Sequence, residues 1–424
     1  MKYRYIILFL FIISCSKKNE ILVDLNSFKK QGREIFFQDK IEYSKEIFKI
    51  SKINLEDKLN EILINNQKYN FNSNFHELKK INKFYQDKNN IYKKEIFVLK
   101  NKMYYVNDYG ELNIILISTN KKKIIQLYSK KEIKGYPARF SITGNDKYIY
   151  IADNLGGIHA YDIDNDKILW KFNLGVPFIS NIVLYKNNIY VSNANGKIFS
   201  FLASNGNQNW SYESGSGFIK TRNAFKLSIQ NDYLVFTNNL KEITCIDLKN
   251  KKLLWSKYYL QFKITSSQNF FEFSNLIIND KELIFFSSDN NLYNINLLNG
   301  DINWQKKLLF SNLIQYNKNH LLFISNDGFI KILNLKNQNV VYSINLNKYI
   351  KNKDKKNSIE INNILSMGKS IFLTSVEGDF FKISTTNLKD IYYKKITQSI
   401  NSNLQISNNH LYFIGNFKYL YSLN

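Results

Sequence analysis

Four tryptophans, Trp170, Trp210, Trp255 and Trp304, stand 40, 45 and 49 residues apart, and each closes a similar local pattern. A period of that size, carrying its own strands and turns, marks a repeated supersecondary unit and constrains the fold more than composition does. In the clearest copy, residues 148–152 read as a strand, Leu155-Gly156-Gly157 as a turn, and residues 158–163 as a second strand. Asp164-Asn165-Asp166 then reads as another turn and residues 168–172 as a third strand. The next copy runs through residues 189–192, Asn195-Gly196, residues 197–202 and Asn205-Gly206 to Trp210. Asn-Gly suits such corners because a type I′ turn needs positive φ at both central residues.

The pattern continues through residues 234–255 and 283–304, then weakens over 321–344 and 371–396, where Tyr342 and either Tyr392 or Tyr393 stand for tryptophan. Upstream, residues 103–128 form a copy with a degenerate end, and residues 410–423 hold two strands and stop. Short antiparallel strands at this period define a propeller blade, whose fourth, inner strand comes from the segment between copies. Residues 178–184, 226–230, 275–278 and 404–407 fit that inner strand. The expected fold is therefore an all-β propeller of about eight four-stranded antiparallel blades. An open last blade would leave an unpaired edge, so an amino-terminal strand should close it. The first candidate is residues 80–86, with 46–53 as the alternative.

Composition agrees: 32 Phe and 29 Tyr accompany only 2 Pro, which favours strands. With only Cys15 and Cys245, no disulfide framework is available and buried area must stabilise the fold. The net charge of +24 is spread over every segment alongside abundant Lys, Asn and Ile. That reads as compositional drift with a solvated lysine surface and not as a nucleic-acid footprint.

At the amino terminus, a Lys-Tyr-Arg start precedes an apolar run over residues 5–13, too short to span a bilayer but suited to an export signal. The run ends at Ile12-Ile13-Ser14-Cys15, which resembles a bacterial lipobox. The resemblance implies cleavage after residue 14, acylation of Cys15 and, with Ser16 following, sorting to the periplasmic face of the outer membrane. The expected organisation is a signal peptide over 1–14, a partly ordered tether over 15–78 and the propeller over 79–424.

The repeats resemble those of quinoproteins, with the signature Gly-x-x-x-Ala-x-Asp-x-x-x-Gly-x-x-x-Trp approximated by Gly156-Gly157-Ile158-His159-Ala160-Tyr161-Asp162 and then Trp170. Together with the lipobox and the number of blades, residues 80–424 resemble the BamB family, propeller lipoproteins of the outer-membrane β-barrel assembly machinery. That resemblance implies a non-catalytic scaffold without cofactor, binding the barrel-forming subunit and its complex, and unfolded outer-membrane proteins by strand addition. In the family, a loop between two blades carries Leu-Ser-Leu-Arg-Gly and docks on the barrel-forming subunit. Here the comparable stretch is Phe218-Ile219-Lys220-Thr221-Arg222, with Thr221 replacing the second leucine. A second family contact uses an acidic pair, of which this chain offers only Glu272, out of register.

The tryptophans are expected to pack between blades, and Asp162 and Asp247 to cap their own turns. Cys245 reads as a small buried residue. His76, His159, His320 and His410 show no metal-ligand spacing, and His159 is expected to be structural. The rival class is a quinoprotein dehydrogenase holding pyrroloquinoline quinone and calcium through convergent oxygen ligands at one mouth of the ring. A third reading is a general envelope propeller that binds a glycan or another protein.

Overall fold

A Gly in one copy and the Trp of the copy before it are the contact that turns eight separate meanders into a ring. In the computed structural model, a Cβ added at Gly206 would stand 2.8 Å from the Trp170 ring, and one at Gly300 would stand 2.7 Å from Trp255. Both glycines have positive φ, 74° and 71°, so the corner needs glycine for its backbone as well as for its neighbour. The repeat signature thus spells a contact between successive copies.

The structure describes residues 78–83 and 93–423, apart from 134–137, 216–224, 239, 241, 260–272, 288–289, 310–311, 326–327, 351–358, 368–369, 386, 408–409 and 417–418. Within these lie eight four-stranded antiparallel sheets. Numbered along the chain, blades 1 to 7 fall in residues 96–126, 140–173, 183–213, 227–258, 277–307, 312–345 and 361–395. Blade 8 combines Gln405–Ser407, His410–Gly415 and Tyr419–Leu423 with the amino-terminal strand Leu78–Lys83. Inner strands adjoin in succession from blade 1 to blade 5 and between blades 6 and 7, and that of blade 8 meets Ile96–Leu99 of blade 1; shared cores join blades 5 and 6 and blades 7 and 8, which closes the ring. Among the described residues, helix is limited to single turns at Lys130–Ile133 and Leu346–Tyr349.

Central strands carry continuous apolar runs because both faces are covered. In Tyr148–Asp153, Ile149 and Ile151 pack with blade 1, while Tyr150 and Ala152 pack with Ile189, Val191 and Phe199 of blade 3. Pleating sends successive side chains to opposite faces, so each blade seals two seams. Burying one such side chain stabilises by about 1.5–3 kcal/mol, which makes the seams the main source of stability.

All four tryptophans face the following blade. Trp170 donates its indole N–H to the Ala203 carbonyl at 3.2 Å and Trp255 donates to that of Leu297 at 2.8 Å. Trp210 packs with Leu234 and Phe236 of blade 4, and Trp304 with Leu321 and Phe323 of blade 6. Opposite them across the ladder stand Ala160, Ser200, Cys245 and Asn294, small enough to leave room for the indole. Tyr342 takes the same place in blade 6, its hydroxyl donating to the Leu388 carbonyl at 2.7 Å. In blade 7 the equivalent register belongs to Tyr392, which pairs with Lys382 but is exposed, while Tyr393 donates to Asp379 of its own blade. The last seam is filled instead by Phe372, Phe380, Ile396 and Ile400.

The closing strand pairs Leu78 with Leu423 and Lys83 with Tyr419, two residues earlier than residues 80–86 would place its start. Lys80 lies over the Tyr419 ring, 3.3 Å from its centre. The alternative at 46–53 lies outside the described residues. The inner strand of blade 3 is Val183–Tyr185, shorter than 178–184, because Phe178 bridges Asn193 and Ser180 bridges Phe225 before regular pairing begins.

Candidate partner-docking face

Antiparallel alternation puts the turns between second and third strands, and the connections from one blade to the next, on one face of the ring. The remaining turns lie on the other face. On the first face, the end of the second strand in blades 1 to 4 and 7 carries a side chain that folds the turn. Oδ1 of Asn107 accepts from the N–H groups of Tyr109 and Glu111, and Asp153, Asn193 and Asn238 make the equivalent pair of bonds in blades 2 to 4. Ser375 plays the part in blade 7, accepting from the Asp379 N–H at 2.9 Å.

Asn238 does more than fold its turn. Its amide nitrogen donates to Ser214 Oγ at 3.0 Å, to the Gly215 carbonyl at 3.0 Å and to Glu242 Oε2 at 2.7 Å. Ser214 in turn donates to the Gly196 carbonyl at 2.6 Å. Ser214, Asn238 and Glu242 are all buried. They fix the last residues of blade 3, and residue 215 is the one from which the connection to blade 4 departs. Beside them, Tyr258 at the end of the blade 4 outer strand is 56% exposed. Burial, then the charge of Glu242, holds the Tyr258 and Tyr212 hydroxyls above the usual tyrosine range.

Phe218, Ile219, Lys220, Thr221 and Arg222 belong to that connection, and Glu272 to the connection leaving blade 4; all lie outside the described residues, as does Cys15. The structure therefore gives the stem of the first connection and both flanks, Glu213–Gly215 and Phe225. Asp162 and Asp247 sit where third strands turn into outer strands. Asp162 accepts from the N–H groups of Asp164 and Asn165, and Asp247 from those of Lys249 and Asn250. These bonds, led by those from Asn165 and Asn250, hold both carboxyls below the usual range. Cys245 is fully buried against Trp255, and burial pushes its thiol up to about 12.

Two features escaped sequence reasoning. The first is a girdle of side chains around the axis. Asn181 donates to the Leu227 carbonyl of blade 4, Asn362 to Ile400 and Asn363 to Ser402 of blade 8. Asn403 of blade 8 bonds both the N–H and the carbonyl of Ile96 in blade 1, at 2.8 and 3.1 Å. Two of its members share a dipeptide, Ser180-Asn181 and Ser402-Asn403. The second is a buried polar group in the first seam. Tyr128 donates to Asp153 Oδ2 at 2.7 Å, and His159 Nε2 stands 3.4 Å from the tyrosine oxygen and 3.5 Å from the same carboxylate. Burial, with the Asp153 charge behind it, pushes the Tyr128 hydroxyl above its usual range.

Among the described residues, no three His, Cys, Asp or Glu side chains are grouped to hold a metal ion.

The ring and its stitched seams define an eight-bladed propeller of PQQ-like repeats. The sequence profile described as outer membrane protein assembly factor BamB matches residues 129–344, and the chain belongs to that family. Among solved structures, BamB from Moraxella catarrhalis is similar, with a TM-score of 0.60 at 14% identity over 83% of this chain and 99% of that one. The designed Ika8 protein gives a TM-score of 0.60 at 11% identity, covering 81% of this chain and 99% of the other. Sqt1 of Saccharomyces cerevisiae gives 0.58 at 11% identity with the same coverage of both chains. At these identities the likenesses concern the fold. No curated protein matches the sequence.

Proposed function

We propose that this chain is a non-catalytic scaffold lipoprotein of the outer-membrane β-barrel assembly machinery. It is anchored through Cys15 at the periplasmic face of the outer membrane, tethered by the residues between Cys15 and the closing strand at Leu78, and docked on the barrel-forming subunit. The observation that carries this reading is membership of the BamB family across residues 129–344. The stretch Phe218–Arg222 falls within that span, on a connection whose stem Asn238 clamps. Arg222 is the anchor of the docking contact, since arginine combines area with a multidentate donor. Client chains, in extended form, add to the outer strands of the blades by backbone pairing.

The test is affinity capture of the intact lipoprotein from detergent-solubilised envelopes beside Arg222→Glu, with mass spectrometry of what copurifies. Recovery of the barrel-assembly subunits with the parent and their loss from the variant is expected. Recovery with both forms would keep the function and discard Arg222. Recovery with neither would remove the main support for the function and turn attention to quinone, metal or glycan ligands.

A further inference from the structure

Charge is uneven on the face opposite the blade-to-blade connections. There, blade 1 carries Lys100 and Lys102 at its first turn and Lys121, Lys122 and Lys123 at its last, with no carboxylate in either turn. Blade 2 sets Asp146, Asp162, Asp164 and Asp166 against Lys147 and Lys167. Farther round the ring, Lys186 pairs with Asp232 and Lys318 with Asp280. On the other side of blade 1, blade 8 brings no carboxylate side chain among its described residues.

The two turns of blade 1 form one platform. The Asn101 side-chain amide donates to Ser118 Oγ at 2.6 Å, and its oxygen accepts from the Ser118 N–H at 3.1 Å. Pleating decides where the lysines point. Lys122 pairs with Ile115, which packs with Ile414 and Leu420 of blade 8, so Lys122 and Ile124 lie on the blade 8 side. Lys123 turns the other way, to Asp166 of blade 2. Ile124 is 49% exposed. From blade 8, Lys79 pairs with Ser422, which shares a strand face with Leu420, so Lys79 lies on the blade 1 side. Lys79 and Lys122 thus flank one seam. The seam is also where the chain joins the ring, since Leu78 pairs with Leu423 at this face.

We propose, resting on the lipid-anchor reading above, that the rim of blades 8 and 1 on this face docks on the anionic headgroups of the membrane that holds the anchor. Ammonium groups on flexible stems suit mobile phosphate-bearing headgroups, which call for charge and not for a fixed geometry. Ile124 beside them adds an apolar side chain that can enter the headgroup region. An anchor alone would leave the ring free to turn; a charged contact at the entry of the chain selects the face that meets the lipid. The connections, with the stem that Asn238 clamps, then look away from the membrane.

The test places the full-length lipoprotein, acylated as exported, on vesicles of phosphatidylcholine alone or mixed with phosphatidylglycerol. Flotation reports attachment, and a membrane-impermeant acetylating ester reports the accessibility of each lysine by peptide mass spectrometry. Each lysine that reaches an anionic surface raises occupancy about fivefold, so labelling of Lys121 and Lys122 should slow by about that factor with phosphatidylglycerol. Lys249 and Lys281, exposed on blades 4 and 5, should keep their rates. Salt at about 1 M, which shortens the screening length to about 3 Å, should abolish the difference. In the double variant Lys121→Glu and Lys122→Glu, Lys100 should label alike on both kinds of vesicle, and persistent protection of Lys100 would overturn the proposal. Flotation on both kinds with equal labelling of Lys121 and Lys122 would overturn the docking surface and leave the anchor. Flotation with phosphatidylglycerol alone would keep the surface and remove the anchor, and flotation with neither would remove both.

Discussion

Gly157 leaves vacant the space that the Tyr128 hydroxyl fills: a Cβ built on Gly157 would stand 1.7 Å from that oxygen. The contact joins the start of the blade 2 third strand to the segment leaving blade 1, and it holds Tyr128 on Asp153. Gly157→Ala should therefore cost about 2–4 kcal/mol, from overpacking and from a buried hydroxyl pushed off its acceptor. Urea unfolding would measure it. Combining it with Tyr128→Phe, which removes the clashing oxygen, should restore part of the loss, and strictly additive losses would show that the two positions do not compete for space.

Trp255 is the most enclosed indole, 6% exposed and bonded to the Leu297 carbonyl. Trp255→Ala should lose about 3–5 kcal/mol through the cavity between blades 4 and 5. Trp255→Phe should lose less, about 1–2 kcal/mol, mostly by leaving that carbonyl unpaired. Equal losses from the two variants in denaturant titration would mean that ring area plays no part.

Asp162 and Asp247 have folded pKa values below those of the unfolded chain, because backbone N–H groups bond their ionised forms. Their contribution is complete above the unfolded carboxyl pKa of about 3.9 and is lost as pH falls through the folded values. The double variant Asp162→Asn and Asp247→Asn keeps at each site the oxygen that accepts from the backbone, loses the one that accepts from the Asn165 or Asn250 side chain, and cannot titrate. Its midpoint of unfolding should fall less steeply than the parent's below about pH 4. Parallel curves for the two proteins would contradict this origin of acid sensitivity.

The strand Leu78–Lys83 is the outermost strand of blade 8. A chain beginning after Lys83 should keep most of its strand signal in circular dichroism but expose the edge of Tyr419–Leu423. Size-exclusion chromatography should then show self-association, and the melting temperature should drop by several degrees. A monomer melting like the parent would show that the closing strand adds nothing.

The blades were legible because tryptophan, turn glycine and apolar runs repeat locally, and the Trp170–Gly206 contact joins residues of consecutive copies. Tyr342 was recognisable by position alone and makes the tryptophan's hydrogen bond. The axial girdle was not legible, even though two of its members share a Ser-Asn dipeptide. The bond from Asn403 to Ile96 spans 307 residues, and no local pattern tells an asparagine which strand it will meet. The group of Tyr128, Asp153 and His159 was hidden for a related reason, since tyrosine and carboxylate come from different copies and differ from the residues at those places elsewhere. Of the proposed docking stretch, only the flank that Asn238 holds lies among the described residues.

Blade 8 is built from the two extremes of the propeller, with Leu78 hydrogen-bonded beside Leu423. Blades 1 to 7 are each contiguous in sequence and can assemble in the order in which the chain is made. The eighth must wait until residue 423 has emerged, so throughout synthesis the ring is an open crescent with two exposed ends. Completion is then a single late event of high contact order, and everything that depends on a circular molecule begins only once the strands at Leu78 and Leu423 have met.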